Sequence, residues 1–578
     1  MVPVRTRGTD GGAPVAQNHL TVRVKGRSRE RMAVTNAAAR STAARGRAVI
    51  LVGLLVLAPF VVPPAEGQVS GTSWWPKFQR DVHNRGAVPL ASLATDVHVR
   101  WQLHLSAPIV GENYSTPVFS PDNRTLYVGG SASTLSAVAW PEGVLRWQTT
   151  LGDATGVIHM SPVVGIDGAI YAGSWDAVIP YDGFARIRDI GASGTVDGAF
   201  AMRRALAGPT ITSSGLVVVG GQHPTDGWRY YALESGASGL SLNWTAALLA
   251  NPSDPASTGR IGAAPALSVG GGTAIFGSSD QNRTFWRISA TDGAEEARIA
   301  MGAYCFSGTP AVSSDGYVFV GEGQDFAAPS DSNEGRLHVF GVDAQGVTVR
   351  VSALALGSGH LNGGLALREL PAGRTRVYVA ANGNGKATAK LIAVDFDPAL
   401  VGSDPPVNPL STRWETPIGG SAFAYPHPVV GRDGVVYVIG PANHTLYAVR
   451  DTDAHADAAA RGEVLWSMRL ADISAVAGWA VASQRGPWGA VVGPDGRVLW
   501  NAPDGYLYAL DGWRLGDLDG DGDVDAADVL LLEGAADDSE EFAIRFPEVD
   551  LMVVGDLDGD GEITVSDVER LAATLAGP

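Results

Sequence analysis

Between Gly516 and Val529 the chain reads GDLDGDGDVDAADV, and between Gly555 and Val568 it reads GDLDGDGEITVSDV. Asp517, Asp519, Asp521 and Asp528 stand at positions 1, 3, 5 and 12 of a twelve-residue loop with Gly522 at position 6. Asp556, Asp558, Asp560, Gly561 and Asp567 repeat the arrangement. A hard cation needs six to eight oxygens, so carboxylates at alternating positions can wrap it while the glycine permits the sharp turn. The cation this spacing implies is calcium, one ion per loop. Position 7 contributes a backbone carbonyl, which adds Asp523 and Glu562 to the metal-binding positions through their main chain. Position 8 is apolar in both copies, Val524 and Ile563, which would let the two loops pair as a short ribbon. A solvated acidic tail has no reason to repeat a glycine, an apolar residue and a final aspartate in register.

Each loop runs into a helical pattern. Val568, Leu571, Ala572 and Leu575 share one helix face, and Val529 and Leu532 begin the same spacing before Gly534, where the run is expected to end. An EF-hand also has a helix before its loop, but the residues before Asp517, GYLYALDGWRL, alternate like a strand. Loop then helix, twice, with Asp at position 12, resembles a type I dockerin over Gly516 to Pro578. The resemblance implies a calcium-folded module that plugs into a cohesin domain on another protein. It also implies that loop positions 10 and 11 choose the partner. Those are Ala526 and Ala527 in one copy and Val565 and Ser566 in the other, not the Ser-Thr type of the best-known cellulosomal dockerins.

The elements that carry this module belong to a longer chain of 578 residues, 45% hydrophobic and 18% charged, an ordinary globular composition. Arg45 and Arg47, an apolar run from Ala48 to Val62 and a small-x-small site at Ala65 to Gly67 read as a secretory signal peptide cut near Gln68. The expected localisation is therefore secreted or cell surface. The apolar run is interrupted by Pro59 and is short for a bilayer, and no cysteine follows it, so neither a membrane anchor nor a lipoprotein is expected. The first residues are basic without signal architecture, which makes Met32 the expected start. Residues 1–67 are thus leader, 68–515 the body and 516–578 the calcium module. The net charge is −18, and residues 517–578 hold 19 acids against 2 bases, so the body carries no basic stripe for nucleic acid. A single cysteine, Cys305, excludes an internal disulfide framework, Cys-pair zinc sites and c-type haem attachment.

A repeat of the form P-[VA]-x-x-x-[DG]-G-x-[VIL]-Y-V-G begins at Pro117, Pro162, Pro209, Pro265, Pro310 and Pro428, with degenerate copies near Gly364 and Gly489. Units spaced roughly 45 to 65 residues apart suit four-stranded blades. Most continue to a strand of the RWQTTL type, at Trp147, Trp244, Trp414 and Trp466. The first such strand, at Arg100-Trp101, precedes the first unit, and the last unit lacks one, so the N-terminal strand is expected to close the ring. The fold expected is all-β, an eight-bladed β-propeller, with the small α-helical calcium module behind it. Eight such blades, opened by WWPKFQRDVHNRG, resemble the PQQ-like propellers of quinoprotein alcohol dehydrogenases and the outer-membrane assembly lipoprotein.

Within the propeller no catalytic motif stands out. A quinoprotein dehydrogenase is expected to carry a vicinal cysteine pair, and one cysteine cannot supply it, which weighs against PQQ. The stretch NGNGKAT from Asn382 has Ala387 where a phosphate-binding loop needs Ser or Thr, and it reads as a hairpin turn. His159, His360 and His427 lack metal spacing. The repeated tryptophans recur blade by blade, the signature of packing rather than of sugar stacking. The expectation is a non-catalytic propeller binding protein or polysaccharide on its faces and docking through its C-terminal module to a cohesin protein. Its setting by resemblance is extracellular polysaccharide degradation. The alternatives are a secreted quinoprotein-type oxidoreductase or carbohydrate-active propeller, and a calcium module that is purely structural.

Overall fold

The structure, a computed structural model, describes residues 69–576 apart from 108–114, 153–155, 176–182, 247–260, 271, 280–282, 303–307, 324–333, 344, 359–360, 362, 383–387, 420–425, 441–443, 453–460, 475, 477–488 and 548. Cys305, His360 and the leader segment lie outside the described residues.

Eight antiparallel four-stranded sheets follow one another along the chain. Their first strands are Val118–Phe119, Val163–Val164, Arg204–Ile211, Ala266–Leu267, Ala311–Val312, Ala366–Leu370, Val429–Val430 and Ala490–Val492, numbered blades 1 to 8. In most blades this strand begins directly after the repeat's proline, which lacks an N–H and so suits the first position of a strand. The recurring form of the turn that follows has a physical cause. Gly168, Gly215, Gly316, Gly434 and Gly496 all have φ between +75° and +90°, backbone that a side chain resists. The expected closure is present: Leu93–His104 pairs antiparallel with Tyr506–Arg514, so the ring has no open end.

The recurring tryptophans join neighbouring blades. Trp147 donates its indole N–H to Asp189 Oδ1 at 3.0 Å, Trp414 to Asp451 Oδ1 at 2.7 Å, Trp244 to the Ala290 carbonyl at 3.2 Å, and Trp466 to the Leu93 carbonyl at 2.8 Å, each in the next blade round the ring. Across from three of these rings stand Gly194, Gly293 and Gly462, where an added Cβ would run into the indole. The packing role expected for these residues is the one they have.

The segment opened by Trp74 and Trp75 forms the hub. Its carbonyls accept an inner-strand N–H from blade after blade: Trp75 from Phe119 at 2.9 Å, Pro76 from Val164 at 2.8 Å, Val82 from Leu267 at 2.8 Å, His83 from Val312 at 2.9 Å, Arg85 from Leu367 at 2.8 Å and Gly86 from Val430 at 2.9 Å. Trp74 reaches blade 8 by donating to the Val492 carbonyl at 2.8 Å. The segment turns on itself because Asp81 accepts from the Arg85 side chain at 2.7 Å and the His83 and Arg85 amides. Buried Lys77 donates to the carbonyls of Phe78 and Asp81 and to Asn84 Oδ1, and burial lowers its ammonium to about 7.

Helices are few. After a single turn, α1 (Leu470–Ile473), the C-terminal module contains α2 (Ala526–Asp537), α3 (Ser539–Arg545), α4 (Leu551–Val554) and α5 (Val565–Ala576). Two expectations are corrected here. Gly534 does not end the first helix; a Cβ there would meet no side chain and nothing outside its own helix within 4 Å, and the helix runs three residues past it to Asp537. Nor is there a ladder between Val524 and Ile563 among the described residues; both instead pack against the large hydrophobic core. The first loop follows strand Tyr506–Arg514 directly, while the second is preceded by the single turn of α4.

Candidate calcium site

Both loops gather their leading carboxylates. One oxygen from each of Asp517, Asp519 and Asp521 lies within 4.8 Å of the others, and Asp556, Asp558 and Asp560 are arranged likewise. A third group of that kind joins Asp523, Asp525 and Asp528. The donors are all carboxylate oxygens, the set that suits calcium and not a soft metal.

Backbone amides hold these side chains in place. Asp517 Oδ1 accepts from the Gly520 amide at 2.7 Å, and Asp556 Oδ1 from the Gly559 amide at 2.7 Å. Asp519, Asp521, Asp558 and Asp560 each accept from the amide two residues on, at 3.0, 3.2 or 2.9 Å. The position-12 aspartates are buried and close each loop on itself. Asp528 accepts from the Leu518 amide at 2.7 Å and the Asp525 amide at 2.8 Å; Asp567 accepts from the Leu557 amide at 2.7 Å and the Thr564 amide at 2.8 Å. Asp567 and Glu562 lie outside the three groups.

The role of Asp525 does not emerge from positions 1, 3, 5, 7 and 12. It is the N-cap of α2, accepting from the Ala527 amide at 2.6 Å while Asp528 answers to the Asp525 amide. Position 9, where loops of this pattern often bind through water, and an acid three residues later were the two signals for it.

Crowded acids disfavour charge. Burial pushes the Asp517 carboxyl up to about 6, with the Asp528 and Asp521 charges adding to the shift against the Gly520 hydrogen bond and Arg514. Asp528 and Asp556 are also raised by burial, and Asp523 chiefly by the Asp521 charge. The four residues expected to choose a partner, Ala526, Ala527, Val565 and Ser566, are in the first turns of α2 and α5, and all four are exposed. The Ser566 hydroxyl donates to Asp558 Oδ2 at 2.6 Å, linking one of them to a carboxylate of the second loop.

The module rests on the propeller. Leu515, Leu518, Leu532, Phe542, Val554, Leu557 and Leu571 belong to the same hydrophobic core as Leu93, Tyr437 and Leu510 of blades 7 and 8. The Leu515 amide donates to the Ser92 carbonyl at 2.9 Å, and Gly516 to Val554 at 2.8 Å.

On the propeller axis, His427 is buried. Its Nδ1 accepts from the Gly364 amide at 2.7 Å, its ring meets Phe78 edge-on at 4.6 Å, and burial lowers its pKa to about 3. The cavity bounded there by Phe78, Met160, Ala264, Thr309 and His427 measures about 10 Å³, room for one water molecule. His159 is buried and its ring packs tilted against that of Trp175, 5.0 Å between centroids.

These features define a class of protein: an eight-bladed β-propeller with a two-loop acidic helical module seated on its closing blades. Among solved structures the chain is similar to BamB from Moraxella catarrhalis, at 13% identity and a TM-score of 0.44, covering 72% of this chain and 98% of that one. It is similar also to the quinohemoprotein alcohol dehydrogenase of Comamonas testosteroni, at 12% identity and a TM-score of 0.49, covering 77% and 81%. A third is the C-terminal WD40 domain of Sif2, at 10% identity and a TM-score of 0.46, covering 72% and 99%. No protein-family profile and no curated protein matches the chain.

Proposed function

We propose that this is an exported, non-catalytic propeller scaffold that binds two calcium ions in its C-terminal module and docks through that module to a cohesin-type protein. Export rests on the leader read in residues 1–67, and the setting of extracellular polysaccharide degradation on the dockerin resemblance. The propeller faces are free in this reading to hold protein or polysaccharide. The observation that carries it is the division of labour within the module. The carboxylates converge in the loops, while Ala526, Ala527, Val565 and Ser566 face solvent at the starts of α2 and α5.

A calcium-dependent pull-down from the secretome of the source organism tests the docking. A partner retained in calcium should be released by EDTA and lost with Ala527→Arg plus Val565→Arg. Retention indifferent to both treatments would count against docking. A second reading, that the module is structural, draws support from its shared core with blades 7 and 8. The two readings are compatible, since the face seated on the propeller differs from the positions left exposed.

A further inference from the structure

The propeller touches the two loops at equivalent points. At position 4 of the first loop, a Cβ on Gly520 would run into the Trp513 ring; at position 4 of the second, a Cβ on Gly559 would lie 2.6 Å from Thr452 Cγ2. Trp513 and Thr452 both come from the propeller's own chain segment, at the ends of strands in blades 8 and 7. One arginine accompanies each contact. Arg514 donates to the carbonyl of Gly522 with one nitrogen and to that of Asp495, in blade 8, with another. Arg450 donates to the Asp556 carbonyl at 2.6 Å and pairs with Glu463 of blade 7 at 2.6 Å.

What each arginine holds is a single peptide plane. The Gly522–Asp523 peptide has its carbonyl on Arg514 and its N–H on Asp521 Oδ1 at 3.0 Å. That fixes the turn from which position 7 presents its carbonyl to an ion. The Asp556–Leu557 peptide has its carbonyl on Arg450 and its N–H on Asp567 Oδ1 at 2.7 Å. That couples positions 1 and 12, the two ends of the cage. Neither guanidinium binds a loop carboxylate, so both leave the ligand oxygens unspent.

We propose that Arg514 and Arg450 are positioning residues for the two calcium loops, so that each ion site is a composite of module ligands and a propeller brace. This rests on the reading of the loops as calcium sites. Outer partners that orient ligands typically change metal affinity 10- to 100-fold when removed.

The test is calorimetric calcium titration of the full chain, with one loop silenced at a time. In the Asp556→Ala background, Arg514→Ala should weaken the remaining site about tenfold while Arg450→Ala leaves it unchanged. In the Asp517→Ala background the dependence should reverse. Arg→Lys at either position should recover part of the loss, because one donor is retained. Thermal unfolding in EDTA establishes that each variant folds. Wild-type binding with unaltered affinities in folded arginine variants would overturn the proposal alone. An equal loss at both sites from either arginine would do the same. No calcium heat in the wild type would overturn the calcium reading as well.

Discussion

Individual aspartates in the loops differ in what they do, although the repeated spacing makes them look alike. Those at positions 1, 3 and 5 converge, whereas Asp528 and Asp567 accept two or three backbone amides and hold the loop ends together. The 1-3-5-12 spacing reveals where the carboxylates are, because it follows from the turn a cation demands. It does not reveal Asp525, whose role as helix cap depends on where α2 begins. At the propeller axis a single side chain sets a pH dependence. His427 Nδ1 is an acceptor from the Gly364 amide, so the folded chain holds the ring neutral, and burial lowers its pKa from 6.5 to about 3. Between those values the unfolded chain binds a proton that the folded chain does not, so the contribution of His427 to stability rises with pH across the window and is fully present above 6.5. Acidification within it should cost up to about 1.4 kcal/mol per pH unit from this group. Urea midpoints of wild type and His427→Gln measured from pH 7 down should converge as the wild type loses more; parallel curves would contradict the assignment.

Among the elements, blades were visible in advance because two physical needs recur in each: a proline to start a short inner strand and a left-handed glycine to turn out of it. The tryptophan strands were visible for the same reason. The hub was not. Six carbonyls between Trp75 and Gly86 each meet a different blade while those of Lys77, Gln79 and Asp81 accept within the segment, so neighbouring positions answer to unrelated surroundings and no periodicity results. The inter-blade indoles give a direct test. Trp414 is 4% exposed, lies against Gly462 and donates to Asp451, which also takes Arg376 at 2.7 Å and Tyr378 at 2.6 Å. Trp414→Ala should destabilise by about 3–5 kcal/mol through the cavity left between blades 6 and 7. Trp414→Phe should cost less, keeping most of the ring while giving up one hydrogen bond to a charged group. Denaturant midpoints check both, and a loss below about 1 kcal/mol for the alanine variant would show that the indole does not bind the blades together.

Across the whole molecule, ring closure by the N-terminal strand could be read from an unfilled fourth strand in the last blade. The seat of the module could not. Leu515, Leu518 and Phe542 would serve equally as the private core of an independent domain, and their contacts join residues hundreds of positions apart. What the seat changes is the thermodynamic unit. With Leu515 bonded to Ser92 beside the closing strand, and Arg450 and Arg514 bonded into the loops, an ion bound in the module would stabilise the ring as well. A ligand at 100 times its dissociation constant contributes about 2.7 kcal/mol per site. Scanning calorimetry of the full chain with calcium and with EDTA, beside a chain ending at residue 515, measures this directly. Calcium should raise the unfolding temperature of the propeller itself, and the truncated chain should unfold lower than the calcium-loaded protein and ignore calcium. A propeller transition that stays at one temperature with calcium, with EDTA and without the module would contradict it.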